Sequence, residues 1–227
     1  MVDGKKKMNN LKVLYEDNHI IVVVKEPNII VQEDDTKDKD LLTMVKEYVK
    51  EKYNKPGNVY IGLVHRLDRP VGGVMVFART SKAASRLSDS IRKKEVKKTY
   101  LAIVHGKTKD SEKLVDYISK DEKTNTTYLD KNGKEAILSY ETLYYDERND
   151  RSLIKVNLET GRHHQIRFQL SNIGHPIVGD NRYGKMEHEN IKLFSYSLEF
   201  IHPVTKENMV FKEIPNWSII ENVKELL

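Results

Sequence analysis

The chain has 227 residues, 38% hydrophobic and 32% charged, the size of one ordinary domain at ~100–200 residues per domain. It contains no cysteine, which excludes thiol nucleophiles, cysteine-held zinc, iron–sulfur clusters and disulfide frameworks, and points to a reducing compartment. Thirty-nine basic against 34 acidic residues leave a formal charge of +5, a modest pull toward polyanions. No run approaches the roughly 18 apolar residues of a membrane-spanning helix, and Met1–Asn10 is polar and lysine-rich without an apolar signal segment, so a cytoplasmic protein is expected.

Residues 1–10 read as a flexible basic tail and 11–227 as one folded unit. Leu11–Tyr15 and Ile20–Val24 predict two strands joined by a turn. Leu41, Leu42, Val45, Tyr48, Val49 and Tyr53 recur at helical spacing behind Asp40, a suitable N-cap. Two apolar runs, Val59–Val64 and Val74–Ala78, predict buried strands around the charged segment His65–Arg69. Ser81–Val96 predicts a helix and Lys97–Val104 a strand. The polar stretch from Lys107 to Lys134 predicts hairpins and loops, with a turn at Asn132-Gly133. Ser152–Leu158 alternates as a strand before a turn at Thr160-Gly161. His163–Ile173 fits strand or helix, and Gly174 followed by Pro176 favours helix. Lys192–Phe200 and Met209–Phe211 predict a last hairpin, and the class is α+β.

Three segments concentrate chemistry. In His65-Arg66-Leu67-Asp68-Arg69-Pro70 an aspartate stands between two arginines, which favour its ionised form and its use as nucleophile or base. The plain alternative is a charged connecting turn. In Thr160–Arg167 a helix would place His163 and Arg167 four residues apart on one cationic face suited to a carboxylate or phosphate. The paired histidines lack a metal-ligand spacing, so no metal is expected. Lys97–Val104 begins basic and carries Tyr100, either a half-buried strand aromatic or a ring that stacks on a base and moves a proton. Gly179–Met186 resembles a phosphate-binding loop except at Met186, which cannot serve magnesium.

Taken in order, His65-Arg66-Leu67-Asp68-Arg69-Pro70, Lys98-Thr99-Tyr100, Thr160-Gly161-Arg162, His164-Gln165-Ile166-Arg167 and Gly174–Asp180 resemble the RluA-type family of RNA pseudouridine synthases. The resemblance runs from about Leu11 to Trp217. It implies one catalytic domain over residues 11–227, a mixed and largely antiparallel sheet with peripheral helices, and a central RNA-binding cleft. It implies that Asp68 is the nucleophile, that Arg66 fills the space left by a flipped uridine, that Tyr100 lies against the uracil, and that Arg167 pairs with Asp68. His65, Arg69, Arg162, His164, Gln165 and Ile166 are then expected to contact the substrate, and Arg92, Lys93, Lys94, Lys97 and Lys98 the phosphates. The expected partner is ribosomal or transfer RNA, bound by a monomer without cofactor. The chain departs from the family pattern at Val71-Gly72, where members carry a Thr-Ser or similar pair, and at Val24-Lys25-Glu26-Pro27, where they carry Asn-Lys-Pro. A non-catalytic RNA-binding or assembly protein on the same fold is the alternative.

Overall fold

The computed structural model describes residues 11–227, so the expected basic tail lies outside the described residues. β1 (Lys12–Glu16) and β2 (Ile20–Lys25) pair antiparallel around Asp17, whose Oδ1 accepts the N–H groups of His19 and Ile20 at 2.7 and 2.8 Å. That local bonding is what an aspartate supplies to a turn. α1 (Leu41–Lys52) starts where Asp40 accepts the N–H of Thr43 at 3.0 Å, and it buries Leu41, Val45 and Val49.

The Val59–Val64 run, expected as a full strand, forms only β3 (Gly62–Leu63). The strand stops because the next donor of its neighbour, the Val76 N–H, goes to the imidazole Nε2 of His65 at 3.1 Å. β4 (Gly72–Ala78) follows, buried along its whole length. α2 (Ser81–Arg92) ends before the expected Val96, since Lys94 takes a left-handed conformation (φ 61°) that closes the helix and redirects the chain. β5 (Lys97–His105), β6 (Ser111–Asp121), β7 (Thr126–Leu129), β8 (Lys134–Asp146) and β9 (Arg151–Leu158) come next, so the Lys107–Lys134 stretch is mostly strand. α3 (Gln165–Asn172), β10 (Leu193–Ile201) and β11 (Asn208–Lys212) complete the main elements, and short 3-10 turns close the C-terminus.

The strands form one sheet in the order β1-β2-β4-β10-β5-β9-β8-β6-β7, with β3 and β11 paired to β4 and β10. Every pairing is antiparallel except β4 with β10, so the expected mixed, largely antiparallel class holds. That parallel seam, Phe194 and Ser195 against Gly72 and Gly73, joins two antiparallel halves. Gly73 has φ 126°, and a Cβ there would stand 2.3 Å from the Ser195 carbonyl oxygen, so only glycine permits the approach. α1 and α3 cover one face with Ile21, Val23, Met75, Phe77, Tyr100 and Ala102. α2 covers the other face of the first half, over Val22, Val74 and Val76. The period of two along β2 and β4 thus sends alternate residues into separate cores.

Candidate active site

The His65–Pro70 segment enters the fold at the seam, immediately before β4. There it meets the end of α2, the start of β5 and the β9–α3 connection around a cleft of about 580 Å³. Arg66, Asp68, Lys98, Tyr100, Arg162 and Arg167 all line it. The three sequence segments that concentrate chemistry therefore share one cavity.

Asp68 Oδ2 lies 3.3 Å from Arg167 Nη1 and 3.6 Å from His164 Nε2. The expected Asp68–Arg167 pair is present, yet it is the weaker of two. Arg167 donates Nε and Nη2 to the two oxygens of Asp180 at 2.8 and 2.7 Å, a bidentate pair with both side chains buried. Burial opposes the charge on Arg167, but Asp180 first and Asp68 second hold it above the ordinary guanidinium range. Burial likewise opposes ionised Asp180, and Arg167 outweighs it, keeping this carboxyl below its usual range.

The expected His163–Arg167 helical face does not form. α3 begins at Gln165, and His164 before it is left-handed (φ 47°), so His163 lies outside the helix. Its Nδ1 instead approaches Thr127 Oγ1 at 3.1 Å. Tyr100 is 7% exposed, with its ring in the core beneath the cleft. Burial first and Asp68 second push its phenol well above the ordinary range, so the hydroxyl stays protonated and the group offers a ring and a donor rather than a phenolate.

The family model described as RNA pseudouridylate synthase matches residues 19–172. The chain is 32% identical to the tRNA pseudouridine synthase C of Haemophilus influenzae, over 88% of this chain and 90% of that one. It is 31% identical to the ribosomal large subunit pseudouridine synthase C of Buchnera aphidicola, over 89% of this chain but just under two thirds, 66%, of that longer relative. The chain belongs to the RNA pseudouridylate synthase family. Its members named here are isomerases that act on RNA. The fold agrees with the solved human RNA pseudouridylate synthase domain containing 4, at a TM-score of 0.76 and 19% identity over 94% of this chain and 93% of that one.

Within this pseudouridylate synthase fold the other expected site residues divide sharply. Arg66 is exposed at the cleft and makes no hydrogen bond or ion pair among the described residues. Arg162 lines the cleft while its Nε donates to the Glu135 carbonyl at 2.8 Å. Arg69 is not in the cleft wall; it pairs with Asp38 at 2.5 Å on the surface. Gln165 lines the wall, yet its amide is engaged in holding the β9–α3 turn. Its Oε1 accepts from Thr160 Oγ1 and the Arg162 N–H at 2.8 and 3.0 Å. Ile166 packs in the core below. His65 is neutral: burial first and Lys98 second push it down to about 3, while its Nε2 accepts from Val76.

The basic set divides as well. Arg92, Lys94 and Lys98 line the cleft. Arg92 and Lys93 both bind Asp89, and Lys97 pairs with Glu199 at 2.9 Å. Lys98 has no acidic partner among the described residues, and burial lowers its pKa. The Gly179–Met186 near-match builds no phosphate cradle. No helix follows it, and Asp180 within it serves Arg167. Among the described residues no cluster of metal-ligating side chains occurs.

Two residues of the site escaped the sequence reading. Lys25, fully buried at the end of β2, donates Nζ to the carbonyls of Ile29, Arg69 and Glu26 at 2.6, 2.9 and 3.2 Å. It thereby ties the Asp68 loop to the strand beside it. Burial first lowers it to about 7, although Asp68 favours its charge. A lysine closing an otherwise apolar strand was the available signal. Thr127, from the stretch of low information, contacts both His163 and Tyr183. The departures at Val71-Gly72 and Lys25-Pro27 touch each other, since a Cβ on Gly72 would meet Pro27 and the Lys25 carbonyl at 3.0 and 3.1 Å. Lys25, Val71 and Gly72 are buried and shape the Asp68 loop, while Glu26 and Pro27 are exposed.

Proposed function

We propose that Asp68 is the carboxylate on which this RNA pseudouridine synthase turns a uridine into pseudouridine, and that the substrate is ribosomal or transfer RNA. The observation that carries the reading is the convergence of Arg167 and His164 on one oxygen of Asp68 inside a cleft floored by Tyr100. The reaction breaks the bond between ribose carbon 1′ and uracil nitrogen 1, turns the base and joins carbon 1′ to carbon 5, with the carbon 5 proton lost to solvent and a proton taken up at nitrogen 1. It needs a fixed carboxylate, a surface for the base and a closed pocket.

Asp68 supplies the first. Tyr100, in the floor of the cleft, supplies an aromatic contact for the base. A uridine reaches Asp68 only by leaving its stack, at a cost of a few kcal/mol that is least in loops. Arg66, planar and without a partner among the described residues, fits the vacated place. Lys94, Lys98 and Arg162 provide positive charge for the flanking phosphates. The names of the Haemophilus and Buchnera relatives support transfer or ribosomal RNA as substrate. The composition supports a cytoplasmic setting, and we read the active unit as a monomer.

The test uses RNA carrying uridine tritiated at carbon 5. Release of tritium together with pseudouridine in the nuclease digest is the expected result. Retention of RNA binding without release from ribosomal or transfer RNA would instead favour the non-catalytic binding protein.

A further inference from the structure

Two side chains, Arg167 and His164, approach Oδ2 of Asp68. His164 ends a chain of hydrogen bonds running from β7 into the cleft. The Thr127 N–H donates to Tyr183 Oη at 2.7 Å. Tyr183 Oη lies 2.9 Å from His164 Nδ1. His164 Nε2 lies 3.6 Å from Asp68 Oδ2.

One arrangement of hydrogens runs consistently along this chain. A backbone N–H can only donate, so Tyr183 Oη accepts from Thr127. With that bond accepted, the phenol hydrogen is free to go to His164 Nδ1, 2.9 Å away. A neutral imidazole that accepts at Nδ1 carries its hydrogen on Nε2, directed at Asp68. Burial supports the neutral form, pushing His164 down to about 4 against the pull of Asp68, with Arg167, His163 and Arg182 acting in the same direction as burial. Thr127, itself buried, also donates Oγ1–H to the His163 carbonyl at 2.8 Å, which pins the residue before the relay.

Backbone geometry points the same way. His164 stands at the N-cap of α3 in the left-handed region and makes no capping bond, although that position ordinarily favours a small polar residue that caps. A left-handed non-glycine residue is strained and persists where the surroundings impose it. Here the conformation aims the ring into the cleft, against the His163 ring at 3.7 Å and edge-on to Tyr183 at 5.6 Å. Asp180 secures both arms. Besides binding Arg167, its Oδ1 lies 3.3 Å from the Tyr183 N–H, and the Arg167 guanidinium packs over the Tyr183 ring.

We propose that Thr127, Tyr183 and His164 form a relay that presents Nε2–H of His164 to Oδ2 of Asp68, so that Arg167 and His164 together hold that oxygen and leave Oδ1 to face the uridine. His164 is then a positioning residue acting through Asp68. At 3.6 Å the last contact is longer than a hydrogen bond. Such contacts commonly tighten when substrate closes the site. The proposal rests on the reading of Asp68 as the reacting carboxylate.

Heteronuclear NMR of the imidazole nitrogens in histidine-labelled protein tests the relay without RNA. Wild type is expected to show His164 as the neutral Nε2–H tautomer across about pH 6–8, the range in which an ordinary histidine titrates. Tyr183→Phe is expected to move it toward the Nδ1–H form. An Nδ1–H tautomer in wild type, or an unchanged spectrum in Tyr183→Phe, overturns the proposal. A second arm measures single-turnover tritium release from bulk cellular RNA labelled at uridine carbon 5. His164→Gln, whose amide nitrogen falls near the Nε2 position, is expected within about 10-fold of wild type, and His164→Leu about 100-fold slower at unchanged RNA affinity. Equal rates in the two variants overturn the proposal. If wild type itself releases nothing, the functional reading fails, while the tautomer measurement still decides the relay.

Discussion

Arg167 binds Asp180 more closely than it binds Asp68: two bonds of 2.8 and 2.7 Å hold the former, one of 3.3 Å the latter. The guanidinium is thus locked from behind and offers its remaining edge to the cleft. A point charge cannot do both. Removing Asp180 leaves a buried cation with only its weaker partner, and breaking a buried ion pair from one side costs about 3–5 kcal/mol. Asp180→Ala is expected to lose stability of that order in urea unfolding. Arg167→Lys, which keeps the charge and loses the fork, is expected to lower kcat by about 10²-fold with RNA affinity little changed.

The cleft lysines separate by their partners. Lys98 lines the cleft without an acidic partner among the described residues, whereas Lys97 is paired with Glu199 and Lys93 with Asp89. Lys98→Ala is expected to reduce the slope of log binding constant on log salt by about 1, the signature of one lost phosphate contact. Lys93→Ala and Lys97→Ala are expected to change it less. Filter binding across a salt series measures all three.

His65 makes the fold acid-sensitive. Its folded-state value, about 3, lies below that of an unfolded histidine, so the unfolded chain takes up a proton that the folded chain refuses. This contribution is intact above about pH 6.5 and is lost progressively as the pH falls toward the folded value. Glutamine can accept the Val76 N–H without titrating. His65→Gln is therefore expected to flatten the dependence of unfolding free energy on pH in this window, by up to about 1.4 kcal/mol per pH unit, in chemical denaturation at stepped pH.

How much of this was legible in the sequence depended on whether the cause was local. Asp40 as cap, the turn between β1 and β2 and the continuous apolar runs of β2 and β4 act within a few residues, and all were readable. α2 ran short because a lysine, Lys94, adopts the left-handed conformation where glycine is the usual mark. β3 ran short because a side chain, His65, replaced a backbone acceptor. At the site, the chemical residue types were apparent in their motifs, and the resemblance set their order. The partner of Arg167, the bonds of Lys25 and the role of Thr127 were not apparent, because each joins elements far apart in the chain. His163 illustrates the limit: four residues from Arg167 meant a shared face only if the helix had begun two residues earlier.

The assignment of Asp68 is tested most directly by Asp68→Asn, which preserves shape and removes the carboxylate. Tritium release from uridine-labelled RNA and RNA affinity are measured on the same purified variant. The account predicts no release above the protein-free blank, with affinity within a few-fold of wild type, since the cleft lysines and arginines are untouched. Turnover by the purified Asp68→Asn protein would contradict it.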